Sequence, residues 1–185
     1  ILIMYQLIRT DQDFIDACQS LDIQLPLFLD TETMFSQGNT DNSKSSTGGL
    51  YGDIRLVQLY QPGMNKALLA DCRFVDLQLV LSTIYPYRQV WHNASYDLHT
   101  INLVTDQPYV PEHIEDTLYL ARLALYKKTN RFGFYVCLKV LGLVDETIEG
   151  MDKTENQKAD WGGVLTPTML KYAACDVLYL SLLYP

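Results

Sequence analysis

Two acids one residue apart close an apolar run in "LFLDTETM", residues 27–34. On a strand, residues i and i+2 point the same way, so Asp30 and Glu32 project together while Thr31 takes the opposite face. Two carboxylates held side by side raise each other's pKa, and an apolar strand end adds a desolvation cost. A divalent cation removes that penalty and keeps both ionised. Taken alone, the pair also reads as a strand that simply ends in acids at the surface.

Two further stretches carry isolated acids in apolar surroundings. In "VWHNASYDLHTI", Val90 and Trp91 end a strand and Asp97 falls two or three residues into the next helix. His92 and Asn93 sit at the strand's mouth, where α/β proteins place their chemistry. The plainer readings are first-turn electrostatics for Asp97, a core histidine for His92 and a helix cap for Asn93. In "LKYAACDVLYL", Tyr172 and Asp176 are four apart and share a helix face. Ala173 and Ala174 permit close approach to a sheet. An amphipathic helix with an exposed Asp176 is the alternative there.

Jointly the three stretches say more than each does alone. Four carboxylates from strand ends and helices suit two divalent cations about 4 Å apart, the arrangement used for phosphodiester hydrolysis. Oxygen ligands favour Mg2+ or Mn2+ over zinc. One ion would activate a water and the other would stabilise a leaving 3'-oxygen.

Several elements must position these groups. "MYQLIRT" reads as a strand, and Thr10 with Asp13 as a capping box opening the helix "DQDFIDACQSL". The strand "LFLDTE" follows Pro26. Residues 36–53 are polar, Gly-rich and aperiodic, hence a loop. "IRLVQLYQ", the turn "PGMNK" and "ALLA" form a meander. "FVDLQLVLSTIY", "SYDLHTINLV", "IEDTLYLARLALY" and "GFYVCLKVLGL" read as helices, the last with Gly142 as C-cap. "VDETIEGMDKTENQKADWGG" is a polar connection with room for one short helix. Thr166 as N-cap and Pro167 at the first helical position open a final helix through about Leu183. Together these elements predict an α/β fold, a mixed sheet with helices on both faces, in one domain over residues 1–185.

The 185 residues are 48% hydrophobic and 19% charged, the profile of a folded domain with its own core. A net charge of -8 and a pI near 4.7 exclude binding of nucleic acid through a broad basic surface. Clustered metal-binding acids shift the balance that way. Cys18, Cys72, Cys137 and Cys175 show no CxxC spacing, and His92, His99 and His113 form no zinc pattern with them. Free thiols point to a reducing compartment, and a cytoplasmic location is expected. "ILIMYQLI" is too short and lacks the basic start of a signal peptide, and no stretch reaches the length of a membrane span.

"FLDTET", "NASYD" and "YAACD", in that order and with the helical YxxxD spacing, resemble the three motifs of the DEDDy 3'-5' exonuclease superfamily. That group includes ribonuclease D and the proofreading domain of family A DNA polymerases. "RLVQLYQ", "EDTLYLARL" and "KTENQKADWGGVLTPTMLKYAACDVLYL" are similar as well, so the resemblance covers nearly the whole chain. It implies a ribonuclease H-like fold and metal-dependent release of nucleoside 5'-monophosphates from 3' ends. Asp30, Glu32, Asp97 and Asp176 match the metal-binding acids, and Tyr172 matches the tyrosine that positions or deprotonates the attacking water. Thr31, Thr33 and Met34 match positions that face the terminal nucleotide. His92 and Asn93 are expected to bind substrate at the 3' end, Asn93 as the first residue of the second motif, whose "N-x-x-x-D" form is closer to the proofreading domains. It favours single-stranded or frayed DNA over RNA.

Two departures bear on function. The polar insert at 36–53 is longer than usual, with Lys44 its sole basic residue. The helical RNA-binding domain that follows the nuclease in ribonuclease D, or the polymerase domain that follows a proofreading domain, is not in this sequence. A piece of a longer polypeptide is therefore one expectation and a free-standing domain the other. Nothing in the sequence predicts an oligomer. Lys127, Lys128 and Arg131, with Lys153 and Lys158, form either a solvated face or a modest phosphate track. Phe132, Phe134 and Tyr135 serve base stacking or core packing. Ribonuclease D-like RNA trimming, and a domain that binds nucleic acid without cutting it, are the alternatives to a DNA exonuclease.

Overall fold

A computed structural model describes residues 4–35, 52–144, 159 and 161–185 of the protein. Six strands form one sheet: β1 (Tyr5–Ile8), β2 (Leu27–Phe35), β3 (Gly52–Tyr60), β4 (Ala67–Asp71), β5 (Gln89–Trp91) and β6 (Ile114–Asp116). Their spatial order is β1-β4-β3-β2-β5-β6. β2, β3 and β4 make an antiparallel meander, while β1, β5 and β6 join it in parallel. The sheet is mixed because antiparallel neighbours can be joined directly, whereas the parallel strands are reached through helical crossovers.

Helices α1 (Asp11–Cys18), α2 (Leu77–Ile84) and α3 (Ala94–Val104) cover one face. There Phe14, Leu81 and Ile101 pack on Leu27, Leu29, Val57 and Trp91. Helix α6 (Pro167–Leu183) covers the other, laying Met169, Leu170, Ala173, Ala174, Val177 and Leu180 on Phe28, Leu56, Leu69 and Val90. The alternation along β2 explains both layers: Leu27 and Leu29 face one core, Phe28 the other. Burying each large aliphatic side chain contributes about 1.5–3 kcal/mol, so α6 is held by many such contacts. Helices α4 (Thr117–Leu125) and α5 (Phe134–Val140) form a smaller cluster around Ala121, Leu125 and Cys137.

The local signals for helix ends act as expected. Thr10 accepts from the Asp13 amide and Thr166 from the Met169 amide, with Pro167 at the start of α6. Gly142 (φ 68°) closes α5, with the Gly142 and Leu143 amides returning to the Lys139 and Leu138 carbonyls in a Schellman motif. All four cysteines are free thiols, and Cys72 alone among them is not fully buried.

Three boundaries differ from the sequence reading. "IEDTLYLARLALY" is not one helix: Ile114–Asp116 is strand β6, and the helix starts at Thr117. β2 runs on to Phe35, and Gly52 and Asp53 belong to β3, so the insert at 36–53 loses its last two residues to the sheet. The remainder of that insert, and residues 145–158 of the polar connection, lie outside the described residues. No helix among the described residues is long and apolar enough to cross a membrane.

β2 and β3 also carry a register shift. Glu32 opposes Leu56 and Thr33 opposes Ile54, which leaves Arg55 as an extra residue on β3.

Candidate active site

Asp30 and Glu32 extend the row begun by Phe28, on the face covered by α6. Ala173 and Ala174, both fully buried, let the helix lie close to the strand, and Asp176 then meets the two acids. One carboxylate oxygen from each of Asp30, Glu32 and Asp176 falls within a 4.8 Å cluster. The fourth acid arrives from the other layer. Thr31 does point away from Asp30 and Glu32, and its hydroxyl donates to Asp97 Oδ1 at 2.6 Å. One strand thus holds acids on one face and, through Thr31, fixes an acid of α3 on the other. Asp97 lies outside the three-oxygen cluster but within electrostatic reach of Asp30 and Glu32.

The charges in this group oppose one another. Burial pushes the Asp30 carboxyl well above the usual range, and Asp97, Asp176 and Glu32 push it further, against a lowering hydrogen bond from the Thr31 backbone. Burial and then Asp176 and Asp97 do the same to Glu32. Burial raises Asp97 to about 7, although hydrogen bonds from Thr31 pull the other way. A buried cluster of like charges is expensive in the ionised form. The donor set, hard oxygens at close quarters, fits a divalent cation such as Mg2+ or Mn2+.

Tyr172 lies one turn before Asp176 and hydrogen-bonds it; burial, then Asp176, Glu32 and Asp30, raise the phenol strongly. Its hydroxyl is thus held among the site acids in the protonated direction. A second phenol, Tyr135 of α5, donates to Asp176 Oδ1 at 2.7 Å. The sequence offers Tyr135 as a base-stacking or core residue; the structure gives its hydroxyl to a site acid. Trp161 packs on Tyr172 with ring centroids 6.4 Å apart. Its segment is clamped from the sheet. Arg55 donates to the Trp161 and Gly163 carbonyls at 3.0 and 3.2 Å, and Arg73 to that of Gly162. Arg55 is itself held by two bonds to buried Asp71, at 2.9 and 3.2 Å, and Arg9 adds a third at 3.1 Å.

The remaining expected residues divide into rim and support. Thr33, Met34 and Asn93 are at least partly exposed, Met34 packing against the core under α6. Thr31 is buried, with its hydroxyl spent on Asp97. His92 is also engaged within the fold: Nδ1 pairs with Thr117 Oγ1 at 2.9 Å and Nε2 with the Phe132 carbonyl at 3.1 Å. Those bonds match the core-histidine reading. Asn93 occupies the N-cap position of α3 in the left-handed region (φ 67°, ψ 48°), yet its side chain makes no cap bond. Asp116 supplies the cap instead. Its carboxylate accepts from the Asn93, Ala94 and Leu118 amides at 2.8, 3.0 and 2.9 Å, closing the starts of α3 and α4 together.

Sequence reasoning missed four of these residues. Arg55 and Asp71 had a readable signal, since a charge inside "DIRLVQLY" or "ALLADC" must find a partner. Asp116 had a weaker one as an N-cap before an apolar helix. Tyr96, which hydrogen-bonds Thr33 at the rim, had none beyond its place in "NASYD". Gln58 is the cross-strand neighbour of Asp30, is fully buried, and has no partner among the described residues at either end of its amide.

The fold recurs in known proteins. A family described as 3'-5' exonuclease matches residues 5–185. No curated protein matches the chain significantly by sequence. Among solved structures, Escherichia coli RNase D, an exoribonuclease involved in structured RNA processing, is 24% identical with a TM-score of 0.67, over 97% of this chain and 43% of that one. Trypanosoma brucei RNase D, solved as a GMP complex, is 19% identical with a TM-score of 0.73, over 97% of this chain and 55% of that one. Brucella melitensis NrnC bound to pGG is 23% identical with a TM-score of 0.66, over 98% and 78%. The chain thus spans less than half of the E. coli enzyme. These likenesses establish the ribonuclease H-like exonuclease fold.

Proposed function

The chain belongs to the 3'-5' exonuclease family, a family of phosphodiester hydrolases, and on that premise we propose that it removes nucleoside 5'-monophosphates from single-stranded or frayed 3' ends with two divalent cations, Mg2+ or Mn2+. The observation that carries this reading is the convergence of Asp30, Glu32 and Asp176 oxygens within 4.8 Å, with Asp97 fixed beside them by Thr31. Those four acids are the residues that would hold the ions. When bound, the ions supply an acidified water and charge compensation at the phosphate.

The reaction needs water alone as co-substrate. A water oxygen bonds to the terminal phosphorus, the bond from that phosphorus to the preceding 3'-oxygen breaks, and a proton ends on that oxygen. The chain's own residues orient this exchange. Tyr172, packed on Trp161, presents its hydroxyl beside Asp176 to align the water. Tyr135 donates to Asp176 Oδ1 and helps to orient that acid. Thr33, Met34, Tyr96 and the exposed Asn93 border the place of the terminal nucleotide.

For the sugar, DNA is the first reading, supported by Asn93 in the second motif. The likeness to RNase D favours RNA as the second. Matched labelled single-stranded DNA, single-stranded RNA and a 3'-mismatched duplex, each with Mg2+ or Mn2+, test both. The expected result is stepwise loss of 3' nucleotides, faster on DNA, abolished by Asp97→Asn. Faster RNA trimming would replace the first reading by the second. Intact DNA and RNA at saturating metal would refute hydrolysis.

A further inference from the structure

Helix α4 carries a surface that the carboxylate site does not use. Thr117, Ala121 and Leu125 pack inward at helical spacing, leaving an outward stripe of Tyr119, Leu123 and Tyr126 that is 56%, 77% and 64% exposed. Both tyrosines carry a cation over the ring: the Arg122 guanidinium over Tyr119 and the Lys127 ammonium over Tyr126, each at 5.4 Å. Between residues 117 and 139 the chain places five of its 14 Lys and Arg and none of its 22 Asp and Glu, although its net charge is -8. This cationic island abuts the site. Phe132 is tied to His92, Tyr135 to Asp176, and the start of α4 to the start of α3 through Asp116.

We propose that this face of α4, with Lys127, Lys128 and Arg131, is a track for the single strand lying 5' of the nucleotide being removed. The inference rests on the exonuclease reading and adds where the rest of the strand runs. Exposed rings stack on bases of any identity, and the cations beside them, Arg122 between the two rings and Lys127 and Lys128 after the second, pair with the phosphates that follow. Tyr119 and Tyr126 are seven residues apart, about 10 Å along the helix, so the track takes more than one nucleotide. The exposed leucines would also suit a protein partner. Five cations without an acid, in an otherwise acidic chain, favour a polyanion instead.

The test compares substrates by length. Initial rates on a dinucleotide and on a single strand of roughly ten nucleotides, the scale of one single-strand site, are measured for the unaltered protein, Tyr119→Ala/Tyr126→Ala and Lys127→Ala/Lys128→Ala. All four side chains are exposed, and circular dichroism checks that each variant folds. The expected result is a rise in KM for the longer strand of about tenfold per ring removed, with kcat retained and dinucleotide turnover within about twofold. The lysine variant should also show a shallower dependence of binding on salt, by roughly 0.7 in log–log slope for each phosphate it no longer neutralises. An unchanged KM for the longer strand overturns the track, as does an equal loss on both lengths. So does a change in oligomeric state of the tyrosine variant with strand binding intact, which would assign the face to protein contact. Failure of the unaltered protein to cut either length refutes the exonuclease reading itself, a separate outcome.

Discussion

Two groups of buried charge lie a few residues apart on β2 and β3, and they are built in opposite ways. Around Arg55, opposite charges are balanced within the protein. Asp71 takes bonds from Arg55 and Arg9, and the remaining Arg55 donor goes to backbone carbonyls. Around Asp30, like charges meet: Asp97, Asp176 and Glu32 raise Asp30, and Asp176 and Asp97 raise Glu32, on top of burial. The first group is complete without a ligand and serves the fold. The second is incomplete as charge, and completes itself only with a cation or protons. A buried charge that the protein satisfies marks architecture; one that it leaves unsatisfied marks function.

This contrast can be broken most forcefully at Arg55. Arg55→Met leaves Asp71 buried beside a single, half-exposed arginine and should cost about 3–5 kcal/mol of stability, read by urea denaturation. Adding Asp71→Leu should recover much of it. Recovery of none would mean the clamp on the Trp161 segment, not the ion pair, is what matters. The opposite group should behave inversely. Asp176→Asn should lower kcat by at least about 10²–10³-fold, the scale of removing one preorganised electrostatic group, while the metal-free melting temperature holds or rises.

A smaller effect separates the groups by pH. Asp97 has its folded pKa raised to about 7 from the ordinary 3.8. Its protonated form is therefore favoured by folding, and that stabilisation is full below the unfolded pKa and lost as pH rises through 7. Without metal, the melting temperature should fall between pH 5 and pH 8. Asp97→Asn should flatten the slope, and added Mn2+ should reverse it. A metal-free melting temperature that climbs over this range would contradict the burial of an uncompensated Asp97 carboxyl. The smallest expected change lies outside both groups. Thr166→Ala removes the cap of α6 and should cost about 1 kcal/mol, with the order of substrate preference unchanged.

Three acids of the site were legible because they sit where local rules forbid them, whereas Asp97 stands in a first helical turn that favours an acid. Asp30 and Glu32 interrupt an apolar strand, and Asp176 interrupts an apolar helix. Tyr172 was legible through its four-residue offset from Asp176. The layers were legible through the alternation of β2 and the caps at Thr10 and Thr166. The supports were less so. Strand β6 is three residues long and runs without a breaker into α4, so its apolar Ile114 merged with the helical period. Tyr135 reaches Asp176 across 41 residues, a contact decided by how α5 docks on α6. The Arg55 bulge shows only in strand register, which no run of residue types states.

One carboxylate has a consequence for engineering. Asp116 grips the first turns of α3 and α4 from the end of β6, so three segments distant in sequence share one rivet. The "NASYD" stretch cannot be transplanted into another scaffold as a self-contained cassette. Its register relative to β2, and with it the place of Asp97, is dictated by a residue about twenty positions downstream. A chimera that exchanges α3 must bring the β6 terminus along, or choose a recipient that already carries an acid there.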